Sequence, residues 1–479
     1  MIARAAAKAV LAKAYASDEP ALVSVVGRRR VGKTFLVRQV YARQIAFQVA
    51  GLARATRAVQ LANFERQLRG AFPTWQPIRG GLRDWLTAFG ELGACLEAAL
   101  SATPSRRVVF LDELPWLASA RSGFLQAFAW FWNSWAYDRR VVVVICGSAA
   151  SWMIRKVVRD RGALHNRITH RIRLRPFTLP EASAYLDSRG IAADRYQRLQ
   201  LYLALGGVPY YLKLLAPGGS AQTEIDRLIF ARDAPLAEEF SVLFASLFDW
   251  PERHLAVVRA LGTAPGGLTR DALARASGLS PSGGLTSVLE ELELSGFVDR
   301  SRPYESKRKG SLTRLADEFS AFYLRWVEPA SPTTASFHRV VESPAYRAWA
   351  GLAYERLGLK HVDGIRRALG ISGVDTFAAS YTARAKGDLA GVQVDLLLDR
   401  ADRTITLVEA KFATDAYVLT KAYAEALQRK VSLFRQHTGT RKHVQLVLLT
   451  TYGLRDSPLA AGVIDRVLTL DDLFAPSTA

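Results

Sequence analysis

Residues 23–34 read Val-Ser-Val-Val-Gly-Arg-Arg-Arg-Val-Gly-Lys-Thr, and they decide how the first part of the chain folds. The β-branched run at residues 22–26 predicts a buried strand. Residues 35–40 contain no glycine or proline, which favours a helix. The pattern G-x-x-x-x-G-K-T joins the two, and this context is typical of a phosphate-binding P-loop. The alternative is a chance glycine turn before a helix.

Each residue type in this loop suits a nucleotide phosphate. Gly27 and Gly32 let the backbone bend so that its N–H groups face a phosphate, and the following helix adds partial positive charge. Lys33 is expected to reach the β- and γ-phosphates, and the Thr34 hydroxyl to hold Mg²⁺. The predicted cofactor-binding residues of this stretch are Gly27, Arg30, Gly32, Lys33, Thr34 and Phe35.

A second nucleotide-site pattern, Val-Val-Phe-Leu-Asp-Glu, occupies residues 108–113. Its four apolar residues predict a buried strand, and its acids stand at the carboxyl end, where ligands collect on parallel sheets. Asp112 is predicted to orient Mg²⁺ through its water shell, and Glu113 to polarise the attacking water as general base. The alternative is an acidic helix N-terminus. The position downstream of a P-loop favours the functional interpretation.

Two further side chains are candidates for the same site. Ser148 follows the strand predicted at residues 141–146, and we expect it to sense the γ-phosphate or the water. The alternative for Ser148 is ordinary strand-to-helix turn chemistry. Arg167 precedes the strand predicted at residues 168–174 and is a candidate arginine finger. The alternative for the basic residues of that stretch is a solvated strand edge.

Composition limits the classes of partner. The 479 residues carry a formal net charge of +20, which fits either a nucleic-acid partner or simply a basic protein. The two cysteines, Cys95 and Cys146, form no C-x-x-C pair, so neither a disulfide framework nor a zinc site is expected. The chain starts without a signal peptide, and its most apolar run is too short to cross a bilayer. We therefore expect a cytoplasmic protein with no membrane partner.

The order of predicted elements divides the chain into four units. Strands alternate with helices at the start, which predicts an α/β domain around a parallel sheet. A helical lid follows it, with a Gly-Gly-Val-Pro turn at residues 206–209 that is expected near the nucleotide. The predicted units are a P-loop ATPase core (1–175), the lid (176–250), a winged helix (251–328) and a second α/β domain (335–479).

The winged-helix prediction depends on three short helices, at residues 253–261, 268–276 and 281–295, followed by a hairpin. The third helix lacks base-reading Arg, Asn or Gln. The predicted wing at residues 300–314 is basic, so phosphate contact is expected without sequence-specific readout. Its cations are Arg302, Lys307, Arg308 and Lys309. A packing or protein-interaction module is an equal alternative.

Acidic residues within apolar strands mark the C-terminal unit. Residues 391–399 and 404–412 read as a hairpin in which Asp395 falls opposite, or nearly opposite, Glu409. Lys411 lies two residues after Glu409 and shares its face. Two carboxylates and a lysine suit Mg²⁺ and a scissile phosphate, with Asp395, Glu409 and Lys411 as the catalytic residues. The alternative is a surface hairpin with a cross-strand ion pair.

These motifs together resemble the archaeal-type ATPases related to the AAA+ and STAND classes. The resemblance is carried by residues 27–34, 108–113, 146–148 and 206–209. Asp395 with Glu409-x-Lys411 resembles the PD-(D/E)xK restriction-endonuclease-like fold, with Val394 replacing the motif proline. The resemblance implies ATP and Mg²⁺ as cofactors, and Glu355 as a helical acid that joins Asp395 and Glu409 in holding metal. Residues 1–5 lack the acid of the Gly-Arg-Glu box that helps to hold adenine in that family.

Three functions follow as hypotheses. The first is an ATP-driven protein that acts on DNA and carries a metal-dependent nuclease. The second is a STAND-like regulatory ATPase whose C-terminal domain binds DNA or protein without cutting. The third is a DNA-binding regulator built on the winged helix. Assembly into a homo-oligomer stays open.

Overall fold

The computed structural model describes residues 3–103, 105–119, 121–148, 150–153, 156, 166–304, 310–330 and 336–475. Three sheets organise these residues, two with five strands and one with three. Within those ranges no helix combines the length and the apolar character that a bilayer crossing needs.

The first sheet is parallel throughout and contains the P-loop strand. Its strands are β1 (Ala21–Val26), β2 (Ile45–Ala50), β3 (Arg107–Asp112), β4 (Val141–Gly147) and β5 (His170–Arg173). They lie in the order β2-β3-β4-β1-β5. β1 and β4 are buried along their whole length, as expected for apolar strands covered on both faces. The predicted parallel α/β fold is confirmed, although β5 is shorter than the predicted strand because only four residues pair with β1.

Helices cover both faces of this sheet. They are α1 (Ala5–Ala16), α2 (Lys33–Val40), α3 (Arg57–Ala71), α4 (Trp85–Ala102), α5 (Leu114–Leu117), α6 (Phe124–Ser134) and α7 (Ala150–Met153). Helix α4 begins at Trp85, because the Asp84 side chain caps it by accepting the Thr87 N–H. α4 and α6 then pack through aromatic rings, with Trp85 and Phe124 centroids 4.8 Å apart.

The lid is helical, as predicted. It contains α8 (Leu179–Ser188), α9 (Arg195–Leu205), α10 (Pro209–Lys213), α11 (Ala221–Ile225) and α12 (Glu239–Leu247). Thr178 and Glu181 form a capping box at the start of α8. The Gly-Gly-Val-Pro turn packs tightly, since a Cβ on Gly207 would lie 1.8 Å from the Phe177 carbonyl oxygen. Close backbone packing therefore accounts for this glycine.

Three helices and a small antiparallel sheet follow the lid. The helices are α13 (Pro251–Gly262), α14 (Arg270–Ser277) and α15 (Gly283–Leu294), and the strands are β6 (Leu268–Thr269), β7 (Val298–Ser301) and β8 (Leu312–Leu315). The helix predicted at residues 268–276 starts late, because its first two residues pair with β8 and Thr269 caps α14. Lys307, Arg308 and Lys309 of the predicted wing lie outside the described residues. The winged helix stays a prediction.

The C-terminal unit contains the second five-stranded sheet. Its helices are α16 (Glu318–Phe322), α17 (Phe337–Val341), α18 (Pro344–Lys360), α19 (Val362–Ala368), α20 (Lys421–Thr438) and α21 (Leu470–Phe474). Its strands are β9 (Thr376–Ala383), β10 (Val392–Arg400), β11 (Thr404–Lys411), β12 (His443–Thr450) and β13 (Arg466–Leu468). They lie in the order β13-β12-β11-β10-β9, antiparallel from β9 to β11 and parallel from β11 to β13.

The apolar core shows how these units join. α18 packs on one face of the C-terminal sheet and α20 on the other. One continuous cluster of buried apolar residues, from Phe177 to Phe474, spans the lid, the small sheet and the α18 face of the C-terminal sheet. The P-loop sheet has separate clusters on its two faces. The three boundaries between the four predicted units are not tested by this packing and stay predictions.

Candidate functional site

The P-loop lysine is buried and turned onto its own loop. Lys33 Nζ donates to the carbonyl oxygens of Gly27 at 2.8 Å and Arg28 at 2.9 Å. Gly32 has φ 87°, and a Cβ on Gly27 would lie 2.3 Å from the Leu174 carbonyl oxygen, so both positions need glycine. No described carboxylate pairs with this ammonium. An anion with phosphate oxygens would supply the missing counter-charge.

The predicted magnesium ligands of this site touch each other. Thr34 Oγ1 donates to Asp112 Oδ2 at 2.6 Å, because the start of α2 and the carboxyl end of β3 meet at one edge of the sheet. Hydroxyl and carboxylate oxygens are the hard ligands that Mg²⁺ prefers. The donor set therefore fits the implied ion. Asp112 is buried and anchors its neighbour by accepting the Glu113 N–H at 2.9 Å.

Glu113 and Ser148 also meet at this edge. Ser148 Oγ lies 3.0 Å and 2.8 Å from the two carboxylate oxygens of Glu113 and donates to them. Glu113 has φ 46°, a left-handed conformation that is uncommon for a residue with a side chain. Ser148 therefore holds the predicted general base, and its contact with phosphate or water stays a prediction.

Two arginines of the loop point to other parts of the chain. Arg28 Nη1 donates to Asp317 Oδ1 at 2.7 Å, and both side chains are almost fully buried. Burial alone would lower the pKa of Arg28, but the Asp317 carboxylate outweighs it and raises this pKa above its usual value. The Arg30 guanidinium forms an ion pair with Glu239 and lies 4.4 Å from the Tyr210 ring centroid, so its contacts are with the lid. Its role in binding the nucleotide stays a prediction.

The other predicted residues of the nucleotide site differ in their surroundings. Phe35 is 62% exposed on α2 and could stack against a flat ligand. Arg167 Nε donates to Asn133 Oδ1 at 2.9 Å, next to the end of α6. Its role as an arginine finger stays a prediction.

The N-terminal segment is tied to the loop by Arg4. Its guanidinium donates to the Val31 carbonyl oxygen at 3.2 Å and lies 4.4 Å from the centre of the Phe177 ring. The Arg4 N–H donates to Glu181 Oε1 at 2.9 Å. Burial lowers the pKa of Arg4 to about 10, against the Glu181 charge. An acid of α8 therefore lies beside residues 1–5.

A second group of charged residues meets in the C-terminal unit around Glu409. Tyr423 donates to Glu409 Oε1 at 2.8 Å and Lys430 to Oε2 at 2.6 Å, both from α20. Lys411 Nζ lies 3.3 Å from Glu409 Oε1. Burial opposes ionisation of Glu409, yet Lys430 and then Lys411 bring its pKa below the usual value.

Asp395 and Glu355 complete this group. The pairing of Leu396 with Val408 places Asp395 beside Glu409, as predicted, and the β9–β10 register shifts between Val394 and Leu397. Such irregularities re-aim side chains and are common beside active sites. Burial and then the Glu409 charge raise the pKa of Asp395. Burial, Asp395 and Glu409 raise the pKa of Glu355 to about 7.

The residue types of this group suit a metal ion, but the positions of the described side chains do not form a metal site. Three neighbouring carboxylates suit Mg²⁺, and the raised pKa values of two of them, Asp395 and Glu355, show that a cation would stabilise the charge of this group. However, within the part of the chain that the structure describes, no three acidic, histidine or cysteine side chains are close enough to hold a metal. Glu409 is bonded instead to Lys430, Lys411 and Tyr423. A metal would have to replace the lysines.

Comparison with solved structures bears on the fold. A Walker-type ATPase of Pyrococcus abyssi has a TM-score of 0.50 and 18% sequence identity, with 68% of this chain and 96% of that chain covered. This chain has the fold of a Walker-type ATPase. The ORC2 protein of Aeropyrum pernix, solved with ADPNP and ADP, has a TM-score of 0.41 and 19% identity over 68% of this chain and 92% of that one. Neither the protein-family models nor the curated proteins gave a match.

Sequence reasoning missed the partners of this Walker-type site. The pairing of Arg28 with Asp317 joins residues 289 positions apart, and no local pattern announces it. Three consecutive arginines inside a phosphate loop were the only signal. In the C-terminal group, Tyr423 and Lys430 stand among other polar residues of α20. The helical period could not select between them and their neighbours.

Proposed function

We propose that this protein binds and hydrolyses ATP with Mg²⁺. The observation that carries the proposal is the meeting of Lys33, Thr34, Asp112 and Glu113 at one edge of a parallel sheet. The alternatives in which each motif is a separate turn or helix cap do not account for this convergence. The Walker-type fold supports the same conclusion.

Each residue has a defined task in this reaction. Loop N–H groups and the N-terminus of α2 would bind the phosphates, and Lys33 would exchange its two carbonyl acceptors for phosphate oxygens. Thr34 and Asp112 would hold Mg²⁺, which neutralises charge that develops on the phosphates. Glu113 would orient the attacking water and accept its proton. Ser148 would fix the Glu113 carboxylate, and Phe35 would lie beside the base or sugar.

The test compares Mg·ATP binding by calorimetry and phosphate release for the wild type, Lys33→Ala and the control Lys13→Ala. Lys13 is an exposed lysine of α1, remote in sequence from the loop. Removing one preorganised charge from such a site costs about 100- to 1000-fold in turnover. We expect that loss for Lys33→Ala alone. Absence of Mg·ATP binding by the wild type would contradict the proposal.

We further propose that this ATPase acts on DNA through a nuclease-like C-terminal unit. The supporting observation is the convergence of Asp395, Glu409, Lys411 and Glu355, with two pKa values raised by burial and mutual repulsion. The carboxylates would hold Mg²⁺, which supplies Lewis-acid activation of a phosphodiester. Lys411 would stabilise charge on the scissile phosphate. The net charge of +20 favours a polyanionic partner.

Cleavage assays separate this proposal from the alternative. Supercoiled, linear and single-stranded DNA would be incubated with Mg²⁺ or Mn²⁺ and ATP, using the wild type, Asp395→Asn and the control Asp388→Asn. Asp388 is exposed in the loop before β10. We expect cleavage by the wild type and the control only. If none of the proteins cuts but ATP alters DNA or protein binding, the STAND-like regulatory switch is the better account. Sedimentation with and without ATP would detect a homo-oligomer.

A further inference from the structure

A cavity of about 240 Å³ lies where the lid, the small sheet and the C-terminal unit meet. It is separate from the P-loop and from the Asp395 group. Its walls come from β7, β8 and the start of α16 on one side, and from α18 and β9 on the other. Four cations line it: Arg300, Arg314, Arg356 and Lys360.

Arg356 has no partner in this cavity. Its guanidinium, on α18, makes no hydrogen bond and no ion pair with any described residue, although Glu318 and Glu355 act on it at longer range. Burial lowers its pKa, as expected for a cation that has lost water without gaining a partner. A guanidinium offers five N–H donors in a fixed fork that matches phosphate oxygens.

Arg314, on β8, is bonded but not neutralised. Its Nε donates to the Gly266 carbonyl oxygen at 3.0 Å and its Nη2 to Ser380 Oγ at 2.8 Å, while Nη1 donates to Ser301 Oγ. All three acceptors are neutral. Burial lowers the pKa of Arg314 too, against the Asp395 charge, which acts on it at longer range. The guanidinium is therefore held in place with its charge uncompensated by any ion pair among the described residues.

The acids of the cavity already lie beside other cations. Asp317 pairs with Arg28 of the P-loop, and Glu318 pairs with Lys360 at 2.6 Å. Asp299 lies 4.0 Å from Arg175, which is outside the cavity. Arg300 pairs with Glu293, so it too is neutralised. Two positive charges, those of Arg314 and Arg356, are left over.

We propose that this cavity binds a small phosphate-bearing molecule, with its phosphoryl group contacting Arg356 and balanced by Arg314. A phosphate monoester carries about two negative charges at neutral pH, which matches the two uncompensated guanidinium groups. The volume exceeds what one phosphate needs, so a small organic phosphate fits better than the free ion. This inference goes beyond ATP hydrolysis and DNA cleavage, because it concerns neither site.

The experiment measures binding directly by calorimetry. The protein is first saturated with Mg·ADP so that the P-loop is occupied, and then titrated with glycerol 3-phosphate, inorganic phosphate or acetate. Arg356→Met is compared with Arg347→Met, an arginine earlier on α18 whose guanidinium contacts the Glu342 carbonyl oxygen outside the cavity. We expect wild-type binding of both phosphates, at least a tenfold loss in Arg356→Met, and no change in Arg347→Met. Acetate should bind at least tenfold more weakly, since it carries one charge.

Two further measurements keep the result interpretable. Lys33→Ala should bind glycerol 3-phosphate as the wild type does, which separates this cavity from the nucleotide site whether or not ATP is hydrolysed. If Arg356→Met does not fold, hydrogen exchange in wild-type α18 and β9 should slow on addition of glycerol 3-phosphate. No binding by the wild type, equal binding by Arg356→Met, equal affinity for acetate, or unchanged exchange in both elements would overturn the proposal.

Discussion

The P-loop region and the C-terminal Glu409 region both gather acids around a predicted magnesium site, but they stabilise those acids differently. In the first, hydroxyl groups hold the carboxylates: Thr34 binds Asp112 and Ser148 binds Glu113. In the second, the ammonium groups of Lys430 and Lys411 neutralise Glu409.

This difference separates a site that is ready for a cation from one that already contains cations. A hydroxyl and a carboxylate can turn to a metal without leaving a charge unpaired. An incoming metal at Glu409 would instead have to displace a buried ammonium, which costs desolvation and pairing energy. We infer that Mg²⁺ binds more readily at the P-loop, and that the Glu409 region needs a substrate phosphate to draw Lys430 or Lys411 away.

The largest effect tests whether the P-loop depends for its stability on the ion pair with the distant residue Asp317. Arg28→Met leaves the Asp317 carboxylate buried without its cation, which costs about 3–5 kcal/mol of folding free energy. Denaturant unfolding at pH 7 would measure the loss. Arg29→Met, at the exposed neighbouring position, should change stability by less than about 0.5 kcal/mol. Equal effects of the two substitutions would show that the distant pair does not stabilise the loop.

The hydrogen bond between the lid and His361 predicts that the protein loses stability in acid. His361, just after α18, accepts the Leu179 N–H at Nε2, and burial followed by the Lys360 charge lowers its pKa to about 4. The unfolded histidine, with its ordinary pKa near 6.5, binds more protons between these values. Stability should therefore fall by about 3 kcal/mol as pH drops from about 6.5 to 4.

The measurement is a series of unfolding curves across that pH window. His361→Gln should flatten the pH dependence, because it removes the proton uptake. His338→Gln, at an exposed position of α17, should leave the slope unchanged. A wild-type slope that survives in His361→Gln would assign the acid sensitivity to other groups.

A smaller effect is expected in the Glu409 region. Lys430→Met removes the 2.6 Å ammonium partner of a buried carboxylate, and a hydrogen bond to a charged group contributes about 1.5–3 kcal/mol. Unfolding at pH 7 would give the difference from Lys421→Met, which removes an exposed lysine of the same helix. Should Lys430→Met match its control, the ammonium groups are not what neutralises Glu409.

The smallest effect concerns Ser148. Ser148→Ala removes a neutral donor to Glu113, which contributes about 1 kcal/mol, or about fivefold in rate. We expect kcat for ATP hydrolysis to fall by that factor with KM unchanged, because Ser148 contacts the proposed general base, Glu113, and not the nucleotide. Ser134→Ala, at the exposed end of α6, is the control. A rise in KM instead would indicate that Ser148 binds phosphate directly.

More of the fold than of the candidate site could be predicted from the sequence. The strands of the P-loop sheet were predictable because continuous runs such as Val141–Gly147 have one stable place, inside a parallel sheet. The contacts of Arg30 with Glu239 and Tyr210 were not predictable, because a motif describes backbone spacing and not where a long side chain ends. The bonds of Lys430 and Tyr423 to Glu409 depend on how α20 is docked on the sheet, which helical periodicity does not specify.

The amino-acid sequence by itself determined the elements whose causes are local: apolar strands, the glycine loop, the helix that follows it, and the acids at the strand ends. Backbone sterics and side-chain periodicity act over a few residues, so these features can be read in order. Tertiary structure alone decided which charges neutralise each other, from Arg28 with Asp317 to the unpaired Arg356. Charge pairing depends on distance in space and on loss of water, and both arise only when remote segments pack together.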